Sequence, residues 1–328
     1  MAVGAVVPLP ERVALADWCP MGEPTSKTMH GTQQAGAGSS GAAGPTGATR
    51  ADAASGSAFS PQALLRRLRT PRPPRLWFEI VLIGFSYWLY SLIRNAVPEQ
   101  RETALRHARD VWRLERALGL GVEHSVNHAI NHVTWLIVGM NYYYATLHFV
   151  ITIAVLVWLY LCHPKRYAAP RLALFVTTWL ALIGFWAFPL APPRLMTGGG
   201  FVDTVQVHHT WGSLSSGDLS QVSNQYAAMP SMHIGWSLWC AFTVISLSGR
   251  LWVRVLAGAY PAVTLVVIVA TGNHFWADAV GGAVCLAAGY GAVYLLYGRW
   301  AYRLPADVPA LDGSRRSRRS RPSRGAGA

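Results

Sequence analysis

His274 and Asp278 are the residues whose types and spacing point most directly to chemistry. They lie four residues apart in "TGNHFWADAVGG", at the start of an apolar segment. A helix would place them on one face, about one turn apart. A carboxylate in that position can hold one imidazole N–H, which leaves the other ring nitrogen available as a nucleophile. The pair therefore predicts a histidine nucleophile oriented by an aspartate.

Two further polar stretches lie where apolar segments begin or end. "MPSMHIGW" begins one segment with Ser231 and His233, and "APPRLM" follows another with Arg194. A helix that begins after Ser231 offers free backbone N–H groups to a phosphate, and the fork of an arginine matches phosphate oxygens. A second histidine can protonate a departing alkoxide and then deprotonate the acceptor. We therefore expect phosphoryl transfer, with His233, His274 and Asp278 as catalytic residues.

The elements that must position these residues are membrane-spanning helices. Of the 328 residues, 52% are hydrophobic and only 13% are charged, and the apolar residues form long runs. Runs of about 18 apolar residues are typical of transmembrane helices. We expect an all-α, polytopic membrane protein, a six-transmembrane-helix bundle. Its spans are predicted near 76–93, 144–161, 172–190, 233–247, 251–271 and 276–296, with an interfacial or re-entrant segment just before the second span.

The order of the six spans brings the three polar stretches together. The end of span three, the start of span four, the end of span five and the start of span six all lie on one side of the membrane. Arginine and lysine concentrate on the other side, which also carries both termini, so the positive-inside rule places the termini in the cytoplasm. We therefore expect a multi-pass protein of the cell (plasma) membrane with its active site on the extracytoplasmic face.

The flanking segments differ in composition from the spans. Residues 1–60 are rich in Gly, Ala, Ser, Thr and Pro and are predicted to be a disordered tail, since they contain too little apolar surface to fold. A basic juxtamembrane collar follows at 61–75, then the membrane domain at 76–298, and a basic disordered tail at 299–328. Between the first two spans, "PEQRETALRHARDVWRLERALGL" predicts a soluble or interfacial amphipathic helix.

The net charge of +13 has a membrane explanation. Most of the basic residues border apolar runs or lie in the C-terminal tail, where anionic lipid headgroups are the nearer partner. We therefore expect the membrane as a partner and no nucleic acid. The excess of arginine over lysine, with abundant alanine and glycine, is associated with GC-rich bacterial genomes.

The three polar stretches resemble the signature of the type 2 phosphatidic acid phosphatase superfamily, and most closely its branch related to fungal inositol phosphorylceramide synthase. The resemblance includes "LERALGLGVEHSVN" and "NYYYATLHFVITIAVLVWLY", so it extends over roughly residues 114–289. It implies that His274 forms a phosphohistidine, that Asp278 orients it, and that His233 is the general acid and then the general base. Arg194 and Ser231 would hold the phosphate.

The sequence departs from the wider superfamily in two places. A Ser-Arg pair is usual several residues before the nucleophile, but here the stretch is apolar, "LVVIVATGNH", and the first motif lacks an upstream lysine. The inositol-transferase-like branch shares the absence of the arginine. Asn273, or the polar region around His148, is expected to compensate and to bind phosphate or substrate. For His148, which lies inside a predicted span, a structural hydrogen bond is the alternative.

Three further histidines suggest a metal site but fit one poorly. His124, His128 and His132 share one helix face, yet the first and third would be about 12 Å apart along a straight helix. An interfacial polar face is the preferred interpretation. The expected mechanism uses no metal and no cofactor.

Two functions remain open for the enzyme. A lipid phosphate or phospholipid is the expected substrate, and the acceptor is either an alcohol such as inositol or water, as in a lipid or polyprenyl phosphate phosphatase. The branch resemblance favours transfer to inositol or a sugar alcohol. A non-catalytic polytopic binding or transport protein is the third possibility. It is disfavoured because the polar residues cluster at one face and no internal repeat is visible.

Overall fold

The structure, a computed structural model, describes residues 75–96, 100–196, 198–210 and 226–303. Within these ranges the chain is nearly all helical and forms no strand; one isolated bridge joins Leu190 to Ala227. The helices are α1 (Leu76–Ala96), α2 (Arg101–Ala117), α3 (Glu123–Asn131), α4 (Thr134–Cys162), α5 (Ala168–Ala187), α6 (Thr204–Val207), α7 (Met232–Leu247), α8 (Leu251–Ala270) and α9 (Trp276–Tyr297). The N-terminal tail and most of the C-terminal tail lie outside the described residues.

Four helices, α4, α5, α8 and α9, are long and apolar enough to cross a membrane. Large apolar side chains on their outer faces are exposed, as expected for surfaces that face lipid; examples are Val150, Ile153, Trp186, Val255 and Val284. Helix α7 and the Leu76–Ser86 part of α1 are apolar but shorter. The 16 residues of α7 extend only about 24 Å, less than the ~30 Å of a bilayer core. The expected all-helical architecture is thus confirmed, and four helices are candidates for the six predicted spans.

Helix α4 replaces the re-entrant segment that was expected before the second span. It runs without interruption through 29 residues, and its only irregularity is a π-helical turn at Tyr143–Leu147. A π turn adds one residue to a helical turn and is frequent at functional sites. Here the π turn lies immediately before His148. The side chains after it therefore point in a different direction from the one that a regular α-helix would give them.

Helix α2 is the predicted amphipathic helix, and it docks on one end of the bundle. Ala104 and Ala108 are fully buried there. The carbonyl of Ala104 accepts a hydrogen bond from the N–H of Ala191 at 3.2 Å, and Nδ1 of His107 lies 2.8 Å from the carbonyl oxygen of Pro189. Its apolar face therefore packs on the protein at the end of the bundle where α5 finishes and Arg194 follows.

Helix α7 is the centre of the bundle and contacts α4, α5, α8 and α9. Its Trp239 is fully buried and donates its indole N–H to the carbonyl of Pro170 at 2.8 Å. The end of the bundle opposite α2 is closed by Tyr302, whose hydroxyl pairs with Thr243 and Tyr290. The packed chain therefore continues beyond α9 to Arg303, into residues that the sequence assigned to the C-terminal tail.

Glu79, in the first turn of α1, is paired inside the protein. It is 4% exposed and accepts hydrogen bonds from the guanidinium of Arg171 and from the hydroxyl of Tyr167. A buried carboxylate needs such partners, because an unpaired charge away from water is costly. The interaction attaches α1 to α5.

Helices α7 and α9 meet so closely that only glycine fits at Gly282. A Cβ atom at this position would lie 2.1 Å from the carbonyl oxygen of Ser231. On the same face of α9, a Cβ atom at Gly289 would lie 2.4 Å from the hydroxyl oxygen of Thr177. Small residues at helix crossings allow this close packing in membrane bundles. The start of α7 is therefore fixed against the first turns of α9.

We expect Gly282→Ala to lower stability by about 1–3 kcal/mol, because the added methyl group overlaps backbone that cannot move away easily. The measurement is the thermal unfolding midpoint of the purified protein in detergent. Gly291→Ala is the matched control, since it lies in the same helix and no atom lies within 4 Å of the position that its added methyl group would take. A Gly282→Ala midpoint equal to that of Gly291→Ala would contradict the close contact.

Candidate active site

The three polar stretches singled out in the sequence meet at one end of the bundle. The N–H of Arg194 donates to the carbonyl of Gly272 at 2.9 Å, and the N–H of Ser231 donates to the carbonyl of Asp278 at 2.8 Å. These two backbone hydrogen bonds join the segment after α5 to the α8–α9 loop, and the start of α7 to the first turn of α9. The predicted site residues are thus brought together by main-chain contacts.

His274 and Asp278 form the predicted pair. Nδ1 of His274 lies 3.1 Å from Oδ2 of Asp278, and the same carboxylate oxygen accepts the N–H of Phe275 at 2.9 Å. Both side chains are buried. Among the described residues, Nε2 of His274 has no hydrogen-bond partner. A histidine held in this way has its Nδ1–H directed to the carboxylate and its Nε2 lone pair free to attack.

His233 lies beside this pair at the start of α7. Its ring centroid is 5.4 Å from that of His274. The ring is stacked on Tyr144 at 4.1 Å with an interplanar angle of 17°, and Nε2 donates to the carbonyl of Tyr144 at 3.3 Å. His148 lies on another side of the ring, at a centroid distance of 4.0 Å. Two turns of α4 therefore fix the orientation of His233.

Arg194 is held by two side chains, one from the α8–α9 loop and one from the segment after residue 197. Its Nε–H donates to Oδ1 of Asn273 at 2.9 Å, and Nη1 donates to Oδ2 of Asp203 at 3.1 Å. The amide nitrogen of Asn273 donates in turn to Thr271 at 2.8 Å, so both groups of this amide are already engaged. Asn273 thus supports Arg194, and the guanidinium keeps further N–H donors for an anion.

Ser231 and its neighbours complete the group of predicted site residues. Ser231 is the residue before the first turn of α7 and is fully buried, and its hydroxyl has no partner among the described residues. A buried hydroxyl without a partner is uncommon, because it has given up its hydrogen bonds to water. Nε2 of His274 and this hydroxyl are thus two buried polar atoms without a partner among the described residues.

A segment of residues 198–210, here called the strap, crosses this end of the bundle and is attached at many points. Asn127 exchanges hydrogen bonds with Val202, and Asn141 bonds Thr204 and Thr210. Asp203 lies within the strap and also caps α6, accepting the N–H groups of Val205 and Gln206. The strap therefore connects α3, α4 and Arg194 in one hydrogen-bonded unit.

Of the three histidines at 124, 128 and 132, the first two lie against the strap. Nε2 of His128 lies 2.7 Å from the carbonyl oxygen of Gly200, and the rings of His124 and His128 are 4.4 Å apart. Helix α3 ends at Asn131, so His132 is beyond its last turn. Over the described ranges, no group of three or more His, Cys, Asp or Glu side chains is arranged to hold a metal ion.

Two contributors to the site were missed in the sequence. Tyr144 was not identified as a site residue, although its i,i+4 spacing to His148 was a usable signal for a shared helix face. Asp203 carried no signal, because its ion pair with Arg194 depends on how the strap folds back.

The arrangement as a whole contains an oriented histidine with a free nitrogen, a second histidine beside it, and an arginine fixed at the same bundle end. The family model described as the PAP2 superfamily matches residues 109–292, which is more than half of the chain. The chain belongs to the PAP2 superfamily. Membership indicates a phosphatase or phosphotransferase that acts on lipid phosphates, and the matched residues include all seven predicted site residues. No curated protein and no solved structure matches the chain significantly.

The stacking of Tyr144 on His233 leads to a prediction for this PAP2 protein. We expect Tyr144→Ala to lower turnover of a lipid phosphate at least tenfold, because the ring of His233 loses the surface that orients it. Tyr144→Phe keeps that surface and should retain most of the activity. The measurement is phosphate release from short-chain phosphatidic acid in detergent. Equal losses in the two variants would show that the hydroxyl, and not the stacking, is what matters.

The ion pair of Arg194 leads to a second prediction. Asp203→Asn keeps an acceptor for the cap of α6 but removes the charge that holds the guanidinium. We expect KM for the lipid phosphate to rise several-fold, with a smaller change in kcat, because the arginine is then held less firmly for phosphate. Glu102→Gln, an exposed acid on α2, is the charge-matched control. A KM unaffected by Asp203→Asn would contradict this role.

Proposed function

We propose that this PAP2 protein is a membrane phosphotransferase that acts on a lipid phosphate or phospholipid through a phosphohistidine at His274, with inositol or a sugar alcohol as the acceptor. The observation that carries the proposal is the buried pair of His274 and Asp278, in which Nδ1 is engaged by the carboxylate and Nε2 has no partner among the described residues. Such a nitrogen is arranged to attack rather than to stabilise the fold.

The reaction is a double displacement at phosphorus. In the first step Nε2 of His274 forms a bond to phosphorus, the bond from phosphorus to the leaving oxygen breaks, and His233 gives that oxygen a proton. In the second step His233 takes the proton from the acceptor hydroxyl, whose oxygen bonds to phosphorus while the bond to Nε2 breaks. The two ring centroids are 5.4 Å apart, so both histidines are close enough to act on the same phosphoryl group.

Charge stabilisation falls mainly to Arg194. Its free N–H donors, the hydroxyl of Ser231 and the backbone N–H groups at the start of α7 are proposed to receive the phosphate oxygens. His148 is proposed to border the substrate through its contact with His233. Asn273 is proposed to act on the phosphate by orienting Arg194, since its own amide is already hydrogen-bonded.

The acceptor distinguishes the preferred function from its alternative. Water in the second step would make the protein a lipid or polyprenyl phosphate phosphatase, as the family name allows. Transfer to an alcohol is supported by the strap, a well-anchored polar segment attached to Arg194 through Asp203 that can contribute hydrogen-bonding groups to a polyol. The absence of the Ser-Arg pair before His274 supports the same branch.

The membrane setting follows from the four apolar helices, and its orientation is part of the proposal. We place the protein in the plasma membrane as a six-span bundle with cytoplasmic termini and the site on the extracytoplasmic face. In support, Lys165, Arg166 and Arg250 lie on the connections at the end of the bundle opposite His274, and Arg254 lies in the first turn of α8 at the same end. The proposed reaction uses this chain's side chains alone, with no cofactor and no nucleic acid.

The decisive experiment traps the phosphohistidine. The purified protein is incubated with phosphatidic acid labelled at phosphorus, and we expect acid-labile label on His274. His274→Ala should take up no label. His233→Ala should lower turnover by about 10²–10⁴-fold, the usual contribution of a general acid and base. His132→Ala, an exposed histidine outside the site, is the control and should behave as the unmodified protein.

The same assay decides the acceptor. With inositol present, labelled inositol phosphate is expected as the product, whereas labelled inorganic phosphate alone, with and without inositol, would identify a phosphatase. Unchanged turnover in both His274→Ala and His233→Ala would overturn the catalytic assignment. Absence of both labelling and turnover with phosphatidic acid and with phosphatidylinositol would favour a non-catalytic binding or transport protein.

A further inference from the structure

Glu115 and Glu123 are two buried acids outside the set of proposed catalytic residues. Glu115 lies near the end of α2 and is 3% exposed, and Glu123 begins α3 and is fully buried. The turn between the two helices contains Gly119 at a φ of +74°, a left-handed conformation that glycine adopts without strain. Across this turn the carboxyl groups of the two acids interact with each other, although burial of two such charges is costly.

One of the two acids is attached directly to the helix of the proposed nucleophile. Oε1 of Glu115 accepts the N–H of Ala277 at 2.7 Å. That N–H belongs to the first turn of α9, where backbone donors lack partners within the helix. Asp278 follows Ala277 in the chain and holds His274, so Glu115 is connected to the nucleophile through the first turn of α9.

The remaining oxygens of the two acids need a proton. Oε2 of Glu115 and both oxygens of Glu123 have no donor among the described residues. Two ionised carboxylates cannot hydrogen-bond to each other, whereas a carboxylic acid donates to a carboxylate. Burial raises the pKa of Glu115 to about 9, and its hydrogen bond with Glu123 adds to the rise. One proton on the pair would meet this need and leave a single negative charge.

The groups around the acid pair favour a total charge of −1 on the pair over a charge of −2. The charged groups that act on Glu115 are Glu123 from α3 and Asp278 from α9, both acidic, and the opposing influence is the N–H of Ala277. The N-terminus of a helix carries a partial positive charge that one carboxylate can offset. If Glu115 were ionised as well, its charge would be repelled by the nearby carboxylates of Glu123 and Asp278.

We propose that Glu115 and Glu123 act as positioning residues that share one proton, and that this acid pair holds the first turn of α9, with His274 and Asp278, in the geometry needed for reaction. The catalytic half of this inference rests on the proposed role of His274. The existence of the shared proton does not depend on it.

Because the pair holds a proton, the stability of the folded protein is expected to depend on pH. The folded protein retains the proton up to about pH 9, whereas an unfolded glutamate releases it near its ordinary pKa of 4.5. Since the folded state binds the additional proton, stability declines as pH rises between these values. Above about pH 9 the proton passes to solvent, the two carboxylates repel, and the hold on the N–H of Ala277 is expected to weaken.

The first experiment detects the proton without any substrate. Infrared difference spectra of the purified protein between about pH 7 and pH 10.5 should show the loss of a protonated carboxyl C=O band, since this range brackets the raised pKa. The band should be missing from the difference spectra of Glu115→Gln and Glu123→Gln, and should remain in Glu102→Gln, the exposed control on α2. A band unchanged in both Glu115→Gln and Glu123→Gln, or no band in the unmodified protein, would overturn the proposal.

The second experiment tests positioning with short-chain phosphatidic acid. Glu115→Ala should lower kcat at least tenfold at neutral pH with little change in KM, because the helix start loses its acceptor. Glu115→Gln preserves that acceptor and replaces the shared proton with an amide donor, so it should recover most of the loss. It should also lack the fall in kcat that the unmodified protein shows above about pH 9.

The outcomes separate the inference from the proposed function. If the infrared band behaves as expected but no variant or unmodified protein turns over lipid phosphate, the acid pair stands and the enzymatic assignment fails. If turnover is present and Glu115→Gln has the same alkaline fall as the unmodified protein, the acid pair does not control the site and the positioning role is overturned.

Discussion

The contact of α7 with α9 determines how near the two proposed catalytic histidines can come. The carbonyl of Ser231 lies where a side chain of residue 282 would begin, and the N–H of the same serine bonds the carbonyl of Asp278. His233 is two residues after Ser231, and His274 is attached to Asp278. The 5.4 Å between the imidazole rings is therefore a consequence of backbone packing, which is much stiffer than a side-chain contact.

Around this fixed pair, the polar groups divide into those that are engaged and those that are left open. Asp278 accepts a hydrogen bond from His274. Asn273 and Asp203 accept hydrogen bonds from Arg194. Nε2 of His274 and the hydroxyl of Ser231 have no partner among the described residues. Sites that perform chemistry are built in this way, since the supporting groups remove freedom from the reacting ones before substrate arrives.

The sequence predicted the parts of the site that depend on local spacing and helix order. The i,i+4 pair of His274 and Asp278 needed only a helix, and the approach of Arg194 followed from the alternation of spans. Asp203 and Glu115 could not be assigned, because their contacts join distant segments or depend on the folding of the strap. The spacing of Tyr144 to His148 indicated a shared helix face, but not the stacking of Tyr144 on His233. The alternating acids and bases of α2 predicted an amphipathic helix, but its polar pattern did not reveal that Glu115 faces inward.

The same limit applies to the fold. Hydropathy identified the apolar helices well, and the family match agrees with the region of resemblance. The number of membrane spans was harder to predict, because α7 has only 16 residues although it lies at the centre of the bundle. A helix surrounded by protein need not match the bilayer thickness, because its ends can be covered by loops and by α2 rather than by lipid headgroups.

Because of its π turn, α4 directs side chains to two different neighbours, the strap and α7. Before the turn, Asn141 faces the strap and bonds Thr204; after it begins, Tyr144 and His148 face α7. One additional residue in a turn shifts the angular phase of everything that follows by about 100° relative to a regular helix. Deleting a single residue there would return α4 to regular geometry and would rotate one of the two surfaces out of register. The length of this short segment is thus under a tighter constraint than the identity of most residues within it.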